Sequence, residues 1–166
     1  MQKSLAEVSY FRNFIFGVED SLVSTVGLLA GVAIGGMPRE TIFLTGVVLI
    51  FVEAISMAAG SFLSESSAEE YASQQERNTQ RSKLSALVMF VSYFVSGFIP
   101  LAPYLLFATS EAFWISIGAS LVSLFVLGAI SAHLSKIHII KNALRMAFIG
   151  GLAIAVGTLV GHMFVV

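Results

Sequence analysis

The sequence predicts an all-α, polytopic membrane protein with five transmembrane helices, working as a dimer. Three observations predict it. Only 11% of the 166 residues are charged, whereas a soluble domain carries about 25% to keep its surface wet. Mean hydropathy is +0.89. Five apolar stretches, each long enough to cross a hydrocarbon core of about 30 Å as a helix, alternate with short polar gaps. A soluble bundle would need a polar outer face on every helix, and the last three stretches have none. The length leaves room for one transmembrane domain and no separate soluble module.

The first thirteen residues are mixed polar and read as a short interfacial helix leading into span one, residues 14–37. The apolar run that follows them is too long for a cleavable signal, so none is expected. Span two covers residues 41–64, reached through a three-residue link, Pro38-Arg39-Glu40. Residues 65–83 lack Gly and Pro and are expected to continue span two as a cytoplasmic helix. Span three covers residues 84–108, with Pro100 and Pro103 predicting a kink or a local helix end. Spans four and five cover residues 112–132 and 146–166, separated by a polar connection from His133 to Arg145.

Orientation follows from the basic residues. With the N-terminus inside, the cytoplasmic segments hold Lys3, Arg12, Arg77, Arg81, Lys83, Lys136, Lys141 and Arg145, and the outer side only Arg39. The expected topology therefore has a cytoplasmic N-terminus and an external C-terminus. The bias also argues against dual topology. An odd number of spans and no visible duplication argue against an internal inverted repeat, so a symmetric pathway needs two subunits. Gly27, Gly31 and Gly35 in span one, and Gly157 and Gly161 in span five, fall four apart. They either mark a close helix contact or reflect the abundance of glycine in membrane helices.

The chemistry lies in the ionisable residues inside the spans, where charge is costly. Asp20 stands six residues into span one, about 9 Å deep, and Met57 lies about 12 Å from the inner end of span two. Glu53 is one turn deeper than Met57 and on the same face. The short link between spans one and two is expected to pack them together and bring Asp20, Glu53 and Met57 to similar depth. Carboxylates alone suit hard cations, and an added thioether shifts preference toward softer first-row metals. Ser21, Ser24 and Ser56 offer further oxygens. A carboxylate in low dielectric holds its proton more tightly and can trade it for a cation. The competing readings are a structural salt bridge for Asp20 and plain packing for Met57. Glu19 points about 100° away from Asp20 and is expected to pair with a basic group.

After span two, Glu65, Glu69 and Glu76 share a helix face, with Glu70 beside them. Such a cluster would gather cations at the inner mouth, or it is an ordinary solvated face with Glu–Arg pairs. His133 and His138, five apart, make a poor one-face metal pair, and His162 reads as interfacial. The absence of cysteine excludes disulfides, thiolate metal sites and Fe–S clusters. No nucleophile motif, phosphate loop or nucleic-acid patch is present, so neither an enzyme nor a nucleic-acid binder is expected. The partners implied are membrane lipid, divalent cations, protons and a second copy, with no resident cofactor.

Several stretches resemble a known family. GVEDSLVSTVGLLAGVA, from Gly17 to Ala33, resembles the first-helix motif of the vacuolar iron transporter family, and EAISMAAGSFLSESS, from Glu53 to Ser67, resembles its second. SGFIPLAPYLL and FIGGLAIAVGTLVGHMF look like its third and fifth helices. The resemblance implies a homodimeric five-helix transporter that exports Fe²⁺, and often Mn²⁺, from the cytoplasm in exchange for protons. It also implies metal-path roles for Asp20 and Met57. Two features depart from the family pattern. The Glu- and Met-rich cytoplasmic domain that many members carry is mostly absent, only residues 65–83 filling that gap, and Ser61 stands where many have Glu. The expectation is thus a proton-coupled metal exporter in a prokaryotic plasma membrane. Its rivals are a non-transporting anchor for a metal-storage partner and a small exporter of organic cations relying on Glu53.

Overall fold

The structure, a computed structural model, describes residues 4–74 and 80–163. Within them the chain forms α1 (Leu5–Ile34), α2 (Arg39–Ser73), α3 (Gln80–Leu101), the single turn α4 (Pro103–Leu106), α5 (Thr109–Ser135) and α6 (Ile139–Met163). No strand occurs among the described residues. Five of these helices are long and apolar enough to cross a membrane.

The N-terminal segment and span one form one continuous helix rather than two. Ser4 and Glu7 start it with a reciprocal cap: the Glu7 amide donates to Ser4 Oγ at 3.2 Å and the Ser4 amide to Glu7 Oε2 at 2.9 Å. Nothing after that cap interrupts the helix before Gly35. Gly36, at φ +78°, then turns the chain in a conformation that a side chain would strain. At 35 residues, α2 is about 50 Å long, well beyond the hydrocarbon thickness.

Pro100 and Pro103 act as local ends. Helix α3 stops at Leu101, and α4 begins on Pro103. A proline cannot donate to the preceding turn, so carbonyls at such a break need another partner. Ser116 of α5 supplies one, donating to the Pro100 carbonyl at 2.7 Å. Helix α6 starts at Ile139, seven residues before the expected boundary at Met146, because the polar connection is itself largely helical. Asn142 donates to the Gly128 carbonyl at 2.8 Å and ties this first turn to α5.

Helix α1 is the hub, touching α2, α3, α5 and α6. The expected pairing of spans one and two is present but subordinate, since both pack more extensively on α3 than on each other. The buried face of α3 explains this: Ser82, Ser85, Ser92, Ser96 and Gly97 are small enough to let two helices approach. Phe94 of α3 meets Phe51 of α2 edge-on, with ring centroids 5.0 Å apart. The glycine stripe marks a contact within the chain, between α1 and α6. A Cβ on Gly157 or Gly161 would collide with the α1 backbone at Gly27 or Gly31.

Apolar side chains such as Leu44, Val48, Val52, Val95, Trp114 and Val122 point outward, whereas Ser21, Thr25, Ser92, Ser96, Ser116 and Ser120 are buried. In lipid this arrangement is favourable, because helix association there relies on close packing and hydrogen bonds rather than on removing apolar surface from water.

Candidate functional site

The site is built where α1, α2 and α3 meet. Asp20 is partly buried on α1 and Glu53 partly buried on α2, and the two lie within reach of each other's charge. Met57 is partly buried one helical turn from Glu53, on the same side of α2. No cation faces Asp20 and Glu53 as a salt-bridge partner among the described residues. These two carboxylates are therefore left to be balanced by something other than an arginine or lysine contact.

Residues from α3 complete the surroundings, and sequence reasoning missed the chief one. Tyr93 is fully buried, and both Asp20 and Glu53 act on it electrostatically. Its hydroxyl lies 2.7 Å from Ser24 Oγ on α1. Ser21 donates to the Tyr93 carbonyl at 2.6 Å, which fixes α3 against α1 one turn away. Of the three serines expected to supply oxygens, Ser21 and Ser24 are thus engaged with Tyr93, and Ser56 is exposed on α2. The signal for Tyr93 lay in the sequence only as a tyrosine in mid-span, which a buried polar tip must satisfy somewhere. Its partner could not be read from spacing, since Ser24 is 69 residues away.

The acidic extension of α2 behaves differently. Glu65 is buried and is held by Ser9 and Arg12 of α1 through Oε1, and by Arg81 of α3 through Oε2 at 3.3 Å. Arg81 also forms an ion pair with Glu69 at 3.7 Å. Around Glu65 a polar network continues inward. Ser9 Oγ lies 3.1 Å from Ser85 Oγ, Asn13 donates to the Ser9 carbonyl at 3.0 Å, and Ser61 donates to Asn13 Oδ1 at 2.9 Å. Ser61, the position at which the family pattern has Glu, is therefore a buried hydrogen-bond donor. Glu70 is exposed, and Glu76 lies outside the described residues.

Glu19 lies within reach of the charges of Asp20 and of Arg145 on α6. His133, His138 and His162 are exposed and apart from these carboxylates in sequence and element. Among the described residues, no three acidic, imidazole or thiol side chains converge as a metal cage. What the arrangement offers within one chain is two carboxylates, a nearby thioether and a tyrosine hydroxyl.

Comparison with known proteins agrees with this architecture. A model of the VIT family matches residues 11–85 and 74–162. Vacuolar iron transporter 1 of Arabidopsis thaliana is 23% identical over an alignment covering 87% of this chain and 82% of the plant protein. Vacuolar iron transporter 1 of Tulipa gesneriana is 22% identical, covering 93% and 87% respectively. Vacuolar iron transporter homolog 3 of Arabidopsis thaliana is 29% identical, covering 89% and 79%. With five membrane-length apolar helices and a family match running through nearly all of them, the chain is an integral membrane protein belonging to the VIT family.

Proposed function

We propose that this protein exports a divalent transition metal, Fe²⁺ and also Mn²⁺, from the cytoplasm in exchange for protons. The observation that carries the reading is the Asp20–Glu53 pair. Two carboxylates within reach of each other at membrane depth cannot both stay charged without compensation. One divalent cation or two protons balances the same two charges, and alternation between those states is the chemistry of an antiporter. Met57 adds a thioether beside Glu53 and favours first-row transition ions over Mg²⁺. The names of the relatives, vacuolar iron transporters, support iron as the cargo.

The functional unit in this reading is a homodimer. Asp20, Glu53 and Met57 are only partly buried, and Ser56 and Gly60 on the same helix are exposed. Leaving that polar strip against lipid is unfavourable, and a second copy covering it would enclose a pathway lined by both chains. In this reading the protein sits in a prokaryotic plasma membrane, and the basic residues Arg12, Arg81, Lys136, Lys141 and Arg145 support a cytoplasmic N-terminus with the C-terminus outside. Metal binding is assigned to Asp20, Glu53 and Met57. Glu65 and Glu69 are engaged by arginines, which leaves the collecting role to Glu70 and Glu76.

The test is Fe²⁺ and Mn²⁺ flux in proteoliposomes under an imposed pH gradient, comparing the wild type with Asp20→Ala and Met57→Ala. Gradient-dependent flux that disappears in Asp20→Ala supports the antiporter. A folded, correctly inserted wild type that moves neither ion sinks it and favours a non-transporting anchor for a metal-storage partner.

A further inference from the structure

We propose that Glu65 is a positioning residue and not a cargo ligand: clasped by Arg12 and Arg81, it pins α2 to α1 and α3 and thereby sets Asp20 level with Met57.

The first argument is coordination. Glu65 Oε1 accepts from both Ser9 and Arg12, which fills its two lone-pair directions, and Oε2 faces Arg81. A metal ion approaching this carboxylate would meet two guanidinium groups first. The charges also close on themselves, with Arg12 and Arg81 set against Glu65 and Glu69, so the cluster has no net negative charge to offer a cation.

The second argument is burial. Glu65 is 5% exposed, whereas Arg12 is 65% exposed and Arg81 29%. A buried carboxylate that lost its partners would be strongly unfavourable, so the three helix ends are held together by the requirement to keep it paired. Ser61–Asn13 and Ser9–Ser85 extend the same tie with neutral hydrogen bonds.

The third argument is register. Helices α1 and α2 run in opposite directions. Arg12 stands eight residues before Asp20, and Glu65 eight residues after Met57, so each is about 12 Å along its helix from the residue it serves. Holding Arg12 against Glu65 therefore places Asp20 opposite Met57. The clamp works at a distance, through two rigid helices, and touches no cargo.

This inference deepens the metal-site reading above and rests on it for its functional consequence. The experiment exploits the absence of cysteine in the chain. Asn13→Cys and Ser61→Cys introduce two thiols across the α1–α2 contact, which a short bifunctional thiol reagent joins. Flux and thermal stability are then measured for Glu65→Gln, for the joined cysteine pair, and for the joined pair carrying Glu65→Gln. The expected result is that Glu65→Gln raises the Fe²⁺ or Mn²⁺ concentration for half-maximal flux about fivefold or more. Joining the cysteines should bring the Glu65→Gln variant back to within about twofold of the joined pair alone, because a covalent tie replaces the ionic one. If joining restores melting temperature but leaves the concentration dependence impaired, Glu65 acts on the metal itself and the proposal is overturned. If joining stops transport in the pair that retains Glu65, the helix ends must separate during the cycle, and a fixed clamp is likewise overturned. A wild type that carries no metal would instead count against the transporter reading, while recovery of melting temperature on joining still reports on the clamp.

Discussion

Gly31 of α1 and Gly157 of α6 meet backbone to backbone: a Cβ on Gly31 would lie 2.7 Å from the Gly157 carbonyl oxygen. Two helices reach that separation only where neither carries a side chain. Gly157→Ala and Gly161→Ala should each lower stability by about 1–3 kcal/mol, since the obstructing atoms are backbone and cannot rotate away. Gly118→Ala, where a Cβ meets open space, is the control and should not lower the melting temperature in detergent. Equal losses at all three positions would remove the α1–α6 packing argument.

The break at Pro100 depends on one hydroxyl. Ser116→Ala leaves the buried Pro100 carbonyl without its donor and should destabilise the protein by about 1–3 kcal/mol. Ser110→Ala, on an exposed position of the same helix, should change stability by less than about 0.5 kcal/mol. Thermal unfolding followed by size-exclusion chromatography distinguishes the two.

Tyr93 and Ser24 share a single hydrogen bond beside the carboxylates. Tyr93→Phe and Ser24→Ala should each reduce metal flux several-fold with little loss of folded protein. The double variant should be no worse than the poorer single one, because both substitutions remove the same interaction. Additive losses in the flux assay would mean that the two side chains act separately.

The carboxylates and the thioether should fail in different ways. Asp20→Asn keeps the shape but halves the charge available for exchange, and gradient-driven flux should fall to background. Met57→Leu conserves volume, so the protein should fold and still move ions, with its discrimination of Fe²⁺ and Mn²⁺ against Mg²⁺ reduced. Competition of unlabelled Mg²⁺ against metal uptake measures this. Unchanged discrimination would dismiss Met57 as a selectivity element.

Much of the fold was legible because lipid imposes a simple rule. A spanning helix must be apolar for about 20 residues and must satisfy its own backbone. Reading Thr41 through Ser64 as one span, and its polar continuation as the same helix, required nothing beyond that rule, and α2 runs unbroken from Arg39 to Ser73. Boundaries set by charge alone were less secure. Lys141 and Arg145 looked like a connection, yet they ride on the first turns of α6, where Asn142 bonds to the Gly128 carbonyl. Charged residues near a membrane surface are compatible with helix or loop, and the choice fell to a contact between elements.

The candidate site divides in the same way. Depth follows from counting along a helix, so a similar depth for Asp20, Glu53 and Met57 could be expected from the sequence alone. Which residues share a charge and which are already partnered is a matter of neighbours from other helices. Glu65 and Glu53 are both acids on α2, twelve residues apart, yet arginines from α1 and α3 clasp the first, and the second faces Asp20.

The amino-acid sequence by itself determined the environment, the five apolar helices and the acids that fall within them, because hydrophobic length and charge distribution are properties of the chain alone. Only the tertiary structure decided that α3 lies between α1 and α2, that the glycine stripe joins α1 to α6, and that Tyr93 belongs beside the carboxylates. Those outcomes depend on which small-residue faces fit together and on hydrogen bonds between residues some 70 positions apart, such as Ser24 and Tyr93.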